Sequence, residues 1–183
     1  MTIARSTPWR PLLAATAMLV LAGCASMSPQ ECRTADWYER GLRDGQDGQS
    51  RAYLDEHAKA CKEVNVRPDA SRWAAGWEVG IRHYCTPANG FEQGRSGRYY
   101  SRSCPPNLEP GFLDRYRSGK AIYDAERRVD DLDNRIRDRE RRLERSKDDR
   151  ERDRLRSEIR DLDRDLRRAR DDLYSAERRA RLY

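Results

Sequence analysis

The last third of the chain leaves its backbone essentially one option. Residues 120–183 contain no glycine, proline, cysteine or tryptophan, and they carry 22 Lys and Arg against 19 Asp and Glu. No helix breaker is present, and apolar positions recur in steps of three and four, which is coiled-coil patterning. These positions are Ile122, Ala125, Val129, Leu132, Ile136 and Leu143, then Leu155, Ile159, Leu162, Leu166, Ala169, Leu173 and Ala176. The two sets mirror each other about Asp149. Leu143 reflects onto Leu155, Ile136 onto Leu162, Leu132 onto Leu166, Val129 onto Ala169, Ala125 onto Leu173 and Ile122 onto Ala176. One position departs: the mirror of Ile159 is Arg139. Reflection is what antiparallel pairing requires. It is met by a hairpin folding at "RSKDDRER", or by two straight helices of two chains crossing at Asp149. Capping signals favour the turn, with Ser146 three residues before Asp149 and Asp148 three before Glu151. We expect a long charged hairpin with arms of roughly 39 Å at ~1.5 Å per residue. The alternative is one straight helix in an antiparallel homodimer.

Everything that the tail lacks is concentrated before it, so a separate domain is expected over 32–119. Glycines recur there at equal intervals, Gly41, Gly45 and Gly48 in "GLRDGQDG" and Gly90, Gly94 and Gly97 in "GFEQGRSG", with Gly76 and Gly80 in "GWEVG". Aromatic residues accompany them: Trp37 and Tyr38, Trp73 and Trp77, Phe91, Tyr99 and Tyr100. Glycines four apart share one helix face and allow close backbone approach; in a turn they supply positive φ. Residues 50–64 read as a helix with Tyr53, Leu54, Ala58 and Cys61 on one stripe. Residues 69–85 read as a second, with Asp69 as N-cap and Trp73, Trp77, Ile81 and Tyr84 as the stripe. Residues 85–111 read as loop-rich, and "FLDRYRSG" opens a last short helix that can run into the tail. The fold class is therefore mainly α: a small disulfide-clamped helical domain with Gly-rich loops, followed by the hairpin.

The start of the chain sets the compartment. Residues 1–11 carry Arg5 and Arg10 and no acid, and residues 12–22, "LLAATAMLVLA", are apolar or small. This is the n-region and h-region of a signal peptide. The run ends Leu21-Ala22-Gly23-Cys24, which resembles the bacterial lipobox. That resemblance implies diacylglycerol on the Cys24 sulfur, cleavage before it and acylation of the new amino group. The expected organisation is a lipoprotein signal peptide over 1–23, a lipidated tether over 24–31, the cysteine-containing domain over 32–119 and the charged tail over 120–183. Loss of Arg5 and Arg10 lowers the formal charge from +6 to +4. Ala25 rather than Asp follows Cys24, which favours the outer membrane, facing the periplasm.

Four cysteines remain, Cys32, Cys61, Cys85 and Cys104. In an oxidising compartment two disulfides are the default, with three connectivities open. Nearest-neighbour pairing is the preferred one. A zinc site would want closer pairs, and no metal is expected. Large apolar residues are few in this domain, so each bridge, at ~2–4 kcal/mol, offsets a thin core.

"DWYERGLRDGQDG", "RWAAGWEVGIRHYC", "PANGFEQGRSGRYY" and "CPPNLEPGFLDRYRSG" together resemble a Gram-negative lipoprotein family catalogued as a domain of unknown function. The resemblance covers roughly 32–120. It implies an envelope location and supplies no activity, substrate or catalytic residue.

Catalytic patterns are sparse. His57 and His83 each fall inside an expected helix, and Ser96 lies between glycines without a partnered His or Asp. "DGQDG" departs from the calcium-loop pattern at Gln46. Two of Asp36, Glu39, Asp44 and Asp47 would suffice for acid–base work in a cleft, but acids on a solvated surface explain them more simply. Balanced charge and an envelope address argue against nucleic acid. We therefore expect a membrane-anchored envelope lipoprotein with a structural or partner-binding role, without cofactor, whose tail docks an envelope protein or the cell wall. The alternative is a small periplasmic hydrolase or wall-binding enzyme using the acids near Asp36–Asp47.

Overall fold

The computed structural model describes residues 25–182. The signal segment and the lipidation expected at Cys24 lie outside the described residues. Among these residues seven α-helices follow one another: α1 Pro29–Thr34, α2 Trp37–Gln46, α3 Tyr53–Cys61, α4 Ala70–Tyr84, α5 Pro87–Arg95, α6 Glu109–Arg145 and α7 Asp149–Arg181, with a 3-10 turn over Lys62–Val64. Among the described residues none of these helices is long and apolar enough to cross a membrane.

Side-chain caps set most of the helix starts. The Asp36 carboxylate accepts the Tyr38 and Glu39 amides at 2.9 and 3.3 Å and opens α2. Asp69, the expected N-cap of α4, accepts those of Ser71 and Arg72 at 3.1 and 3.0 Å. Thr86 caps α5 through the Asn89 amide at 3.2 Å. This last helix corrects the loop expected over 85–111. Pro87 sits in its first turn, where a missing N–H costs nothing. Gly90 and Gly94, each worth ~1 kcal/mol against a helix, are offset by the packing they permit. Most of the glycines thus lie inside helices rather than in loops. The helix expected at "FLDRYRSG" does run into the charged tail: α6 begins at Glu109 and continues unbroken past Gly119.

The glycines build two parallel helix pairs. A Cβ on Gly41 or Gly45 of α2 would be driven into the backbone of α4 at Trp73, Trp77 and Ile81. One on Gly76 or Gly80 of α4 would meet that of α2 at Tyr38, Leu42 and Gln46. Successive turns of one helix meet successive turns of the other, so α2 and α4 run parallel, and residues 47–69 carry the chain back between them. Helices α5 and α6 repeat the arrangement. Gly90 and Gly94 lie on Phe112 and Tyr116, and Gly119 lies on Phe91 and Arg95.

The repetition extends to detail. Both α2 and α5 end on a positive-φ glycine, Gly48 at +73° and Gly97 at +67°. In each the C-terminal hydrogen bonds are those of a Schellman motif: Gly48 to Gly45 and Gln49 to Asp44, then Gly97 to Gly94 and Arg98 to Gln93, all at 2.9 to 3.0 Å. A tyrosine ring covers each glycine, Tyr84 and Tyr123 respectively. In each pair the second helix returns a hydrogen bond to the residue after the glycine. Trp77 Nε1 donates to the Gln49 carbonyl at 2.8 Å, and Tyr116 Oη to that of Arg98 at 2.7 Å. The domain is an internal duplication, and the equal glycine intervals in the sequence are its trace.

The disulfides obey the same logic. They are Cys32–Cys61 and Cys85–Cys104, with Cα atoms 5.5 and 5.7 Å apart. Each staples the segment entering the first helix of a pair to the connection that returns to the second. Tyr100 buttresses the second bridge, its hydroxyl donating to Glu109 at 3.0 Å and accepting the Cys104 amide at 3.1 Å. Burial, reinforced by Glu109 against the opposing Cys104 amide, pushes this phenol up to about 12. One apolar cluster spans both copies, from Met27, Trp73, Trp77 and Ile81 to Tyr84 and Phe112.

Helices α6 and α7 form the hairpin. Leu132, Ile136, Leu162, Leu166 and Ala169 close its seam with Val129 alongside. Nearer the domain Ile122, Ala176 and Ala180 form a second cluster with Leu173 and Phe91. The turn is Ser146–Asp148, immediately before the predicted centre. Asp148 caps α7 through the Glu151 amide at 2.7 Å, and Arg152 donates to the Leu143 and Ser146 carbonyls at 2.8 and 3.0 Å, satisfying the exposed end of α6. Arg139, the departure from mirror symmetry, donates to Glu158 of the facing arm at 2.6 Å. A Leu132→Cys, Leu166→Cys variant oxidised at low protein concentration is expected to form an intramolecular bond. Dimers alone on non-reducing gels would restore the straight two-chain rod.

Candidate functional site

Among the described residues, the buried polar group of most chemical promise sits between α2, α3, α4 and the segment just before α1. Asp44 faces inward from α2 because Gly41 and Gly45 beside it press against α4. Its Oδ2 accepts the Trp73 indole N–H at 2.7 Å and lies 2.8 Å from His57 Nε2. The other ring nitrogen, Nδ1, lies 2.8 Å from Ser26 Oγ. A carboxylate only accepts, so Nε2 carries a proton; in the neutral ring Nδ1 then accepts the Ser26 hydroxyl proton. His57 itself has no exposed surface and is boxed by Tyr53, edge-on at 4.9 Å, and Trp37 at 6.4 Å. Arg40 completes the group by donating to the Ser26 carbonyl at 2.6 Å.

Serine, histidine and aspartate in series are the parts of a nucleophilic triad. Their surroundings do not serve that chemistry. The ring is wholly buried, and Asp44 is shared with an indole that does not titrate. A groove of about 790 Å³ on the same domain is lined by Leu54, Ala58, Lys62, Val66, Arg67 and their neighbours, not by this group. What the arrangement does is hold Ser26. Met27, the next residue, is only 4 % exposed.

The remaining acids of the Asp36–Asp47 stretch do not converge on a cleft. Asp36 is exposed, spent on its helix cap and on Arg72 at 3.0 Å; the Glu39 amide, with those of Tyr38 and the Arg72 charge, holds its carboxyl below the usual carboxylate range. Glu39 and Asp47 are exposed, the latter at the C-cap of α2. His83 is exposed on the last turn of α4, and Ser96 is the exposed C-cap of α5. Ser26 and Arg40 escaped the sequence reading, and Trp73 entered it only as part of the α4 stripe. No local signal marks them, because their partners lie 14, 29 and 31 residues away along the chain.

Fold and site together define a class: a small all-α domain of two glycine-packed helix pairs, each stapled by a disulfide, extended by a helical hairpin. Residues 36–121 match the family model described as "Protein of unknown function (DUF2799)". The match begins at the α2 cap and ends within α6, so it spans both helix pairs. No curated protein and no solved structure matches the chain.

Proposed function

We propose that this chain is a non-enzymatic lipoprotein of the bacterial cell envelope. Acyl groups on Cys24 hold its domain at the membrane, and its charged coiled-coil hairpin offers a docking arm to an envelope or cell-wall partner. The observation that carries the reading is the ordered run of Arg5 and Arg10, the apolar stretch 12–22 and the box Leu21-Ala22-Gly23-Cys24. Two disulfides suit the oxidising side of the inner membrane. Several acyl chains, at ~0.8 kcal/mol per buried methylene, suffice to retain a domain of this size. Ala25 after the cysteine supports the outer membrane as the destination. Cys24→Ser is expected to abolish acyl labelling and to leave precursor or soluble protein. Mature, membrane-fractionating Cys24→Ser protein would overturn the reading.

A second reading, a periplasmic hydrolase, draws on the Ser26–His57–Asp44 series. The buried imidazole disfavours it. A fluorophosphonate probe is expected to leave Ser26 unmodified in the folded protein; labelling that disappears in Ser26→Ala would favour the enzyme instead.

A further inference from the structure

The segment 24–31 reads in sequence as a tether, yet its described part is not free. The Ser26 carbonyl is held by Arg40 and its hydroxyl by His57. Met27 is buried in the core cluster. Ser28 caps α1 reciprocally with Glu31, at 3.2 Å from the Glu31 amide to Ser28 Oγ and 2.7 Å from the Ser28 amide to the Glu31 carboxylate. Among the described residues the chain is therefore already fixed to the domain at Ser26, two residues after Cys24.

The duplication shows that this grip is additional to what a helix pair needs. Both copies keep the Schellman end, the aromatic donor to the following carbonyl and three of the packed glycines, Gly41, Gly45 and Gly80 matching Gly90, Gly94 and Gly119, while Arg115 stands where Gly76 stands. Only the first has the buried polar group. Gln93 stands where Asp44 stands and bonds to Asn89 at 3.0 Å within its own helix. Phe112 stands where Trp73 stands and has no donor. The return connection of the second copy, 96–108, contains no histidine. Burying a carboxylate, an imidazole and an indole N–H costs desolvation, and the second copy folds without it. The extra group occurs where the chain leaves for Cys24, and what it holds is Ser26.

We propose that the lipid surface is itself a partner of the folded domain: the grip on Ser26 seats the face formed by residues 26–31 and Arg40 against the headgroups, with no flexible tether between. This rests on the acylation of Cys24 proposed above. Two residues at ~3.3–3.6 Å each place the acylated residue within about 7 Å of Ser26, about the thickness of one headgroup layer. A lipidated residue so close to a fixed surface restrains the whole domain, whereas a long linker would let it tumble.

The test uses full-length acylated protein in phosphatidylethanolamine–phosphatidylglycerol vesicles containing nitroxide-labelled lipid. A fluorescent amino acid replaces the exposed Gln30 of α1. A second protein carries the same probe and ten Gly/Ser residues inserted between Ala25 and Ser26, a linker of ~17 Å root-mean-square length. Quenching at Gln30 is expected to be at least twofold stronger without the insert. Equal quenching in the two proteins, both acylated by mass and both unfolding at the same temperature, would overturn the seating while leaving the anchor intact. Absence of acylation on Cys24 would overturn the anchor and the seating together.

Discussion

Asp44→Ala is expected to be the most damaging single truncation in the domain. It removes the common acceptor of two buried donors, Trp73 Nε1 and His57 Nε2. Each stranded donor costs ~1–3 kcal/mol, so a loss on the order of 2–6 kcal/mol is expected. The sum is a large fraction of what a domain this small possesses. Asp44→Asn keeps one acceptor oxygen and is expected to lose less. Because the partners share one carboxylate, Asp44→Ala and Trp73→Phe should combine to less than the sum of their separate effects. Denaturant unfolding followed by near-ultraviolet dichroism of Trp73 and Trp77 reads these changes. A loss under ~1 kcal/mol for Asp44→Ala, below the cost of one stranded donor, would show that water replaces the carboxylate, and the buried grip on Ser26 would have to be abandoned.

Gly80→Val is the second large effect. A Cβ at this position falls on the Leu42 carbonyl and close to the Gln46 amide. Both are backbone atoms of a helix, so neither can swing aside as a side-chain tip would. The helices α2 and α4 must separate, and the contact of Trp73, Trp77 and Ile81 with α2 loosens with them. Overpacking in a well-filled core costs ~1–3 kcal/mol and sometimes more; with two backbones in collision the upper end, about 3 kcal/mol, is expected. Gly111→Ala is the matched control. Its Cβ would meet only Pro87 Cγ at 3.5 Å, an ordinary contact, and the substitution replaces a helical glycine, which favours folding by ~0.5–1 kcal/mol. Thermal unfolding of the two variants should therefore move in opposite directions. Equal shifts would remove the close backbone contact as the reason for glycine at this position.

The same physics explains why Cys32–Cys61 and Cys85–Cys104 occur where they do. Parallel helices side by side need a return connection, and such a connection has little of its own to bury. Residues 47–69 carry α3 and a 3-10 turn, whereas residues 96–108 carry no helix before Leu108, the N-cap of α6. A bridge from each connection to the segment ahead of its helix pair limits the freedom of the unfolded chain where the core contributes least.

The hairpin was legible in the sequence almost residue by residue. Its two arms are joined by three residues, so each apolar position finds its partner by reflection, and the arithmetic about Asp149 names Leu132 with Leu166 and Ile136 with Leu162. Even the exception at Arg139 was visible, although not its answer, Glu158. Capping is equally local, which is why Asp69 and Asp148 announce the helices they start. The cysteine pairing followed from proximity in sequence for a related reason, since each bridge closes one return connection. The glycines were different. Their interval pointed to a repeat, but a glycine has no side chain to say what faces it. Only the packed pairs show that Gly76 and Gly80 admit the α2 backbone while Gly48 and Gly97 turn the chain beneath a tyrosine ring. Helix α5 was missed for that reason: glycine and proline lower local helix propensity, and the surface of α6 that offsets this is not written in residues 87–95. The group at Asp44 lay furthest from reach. Its members come from four separate segments, and burial, which turns an ordinary acid and histidine into a grip on Ser26, is a property of the assembled helices and of no single stretch of chain.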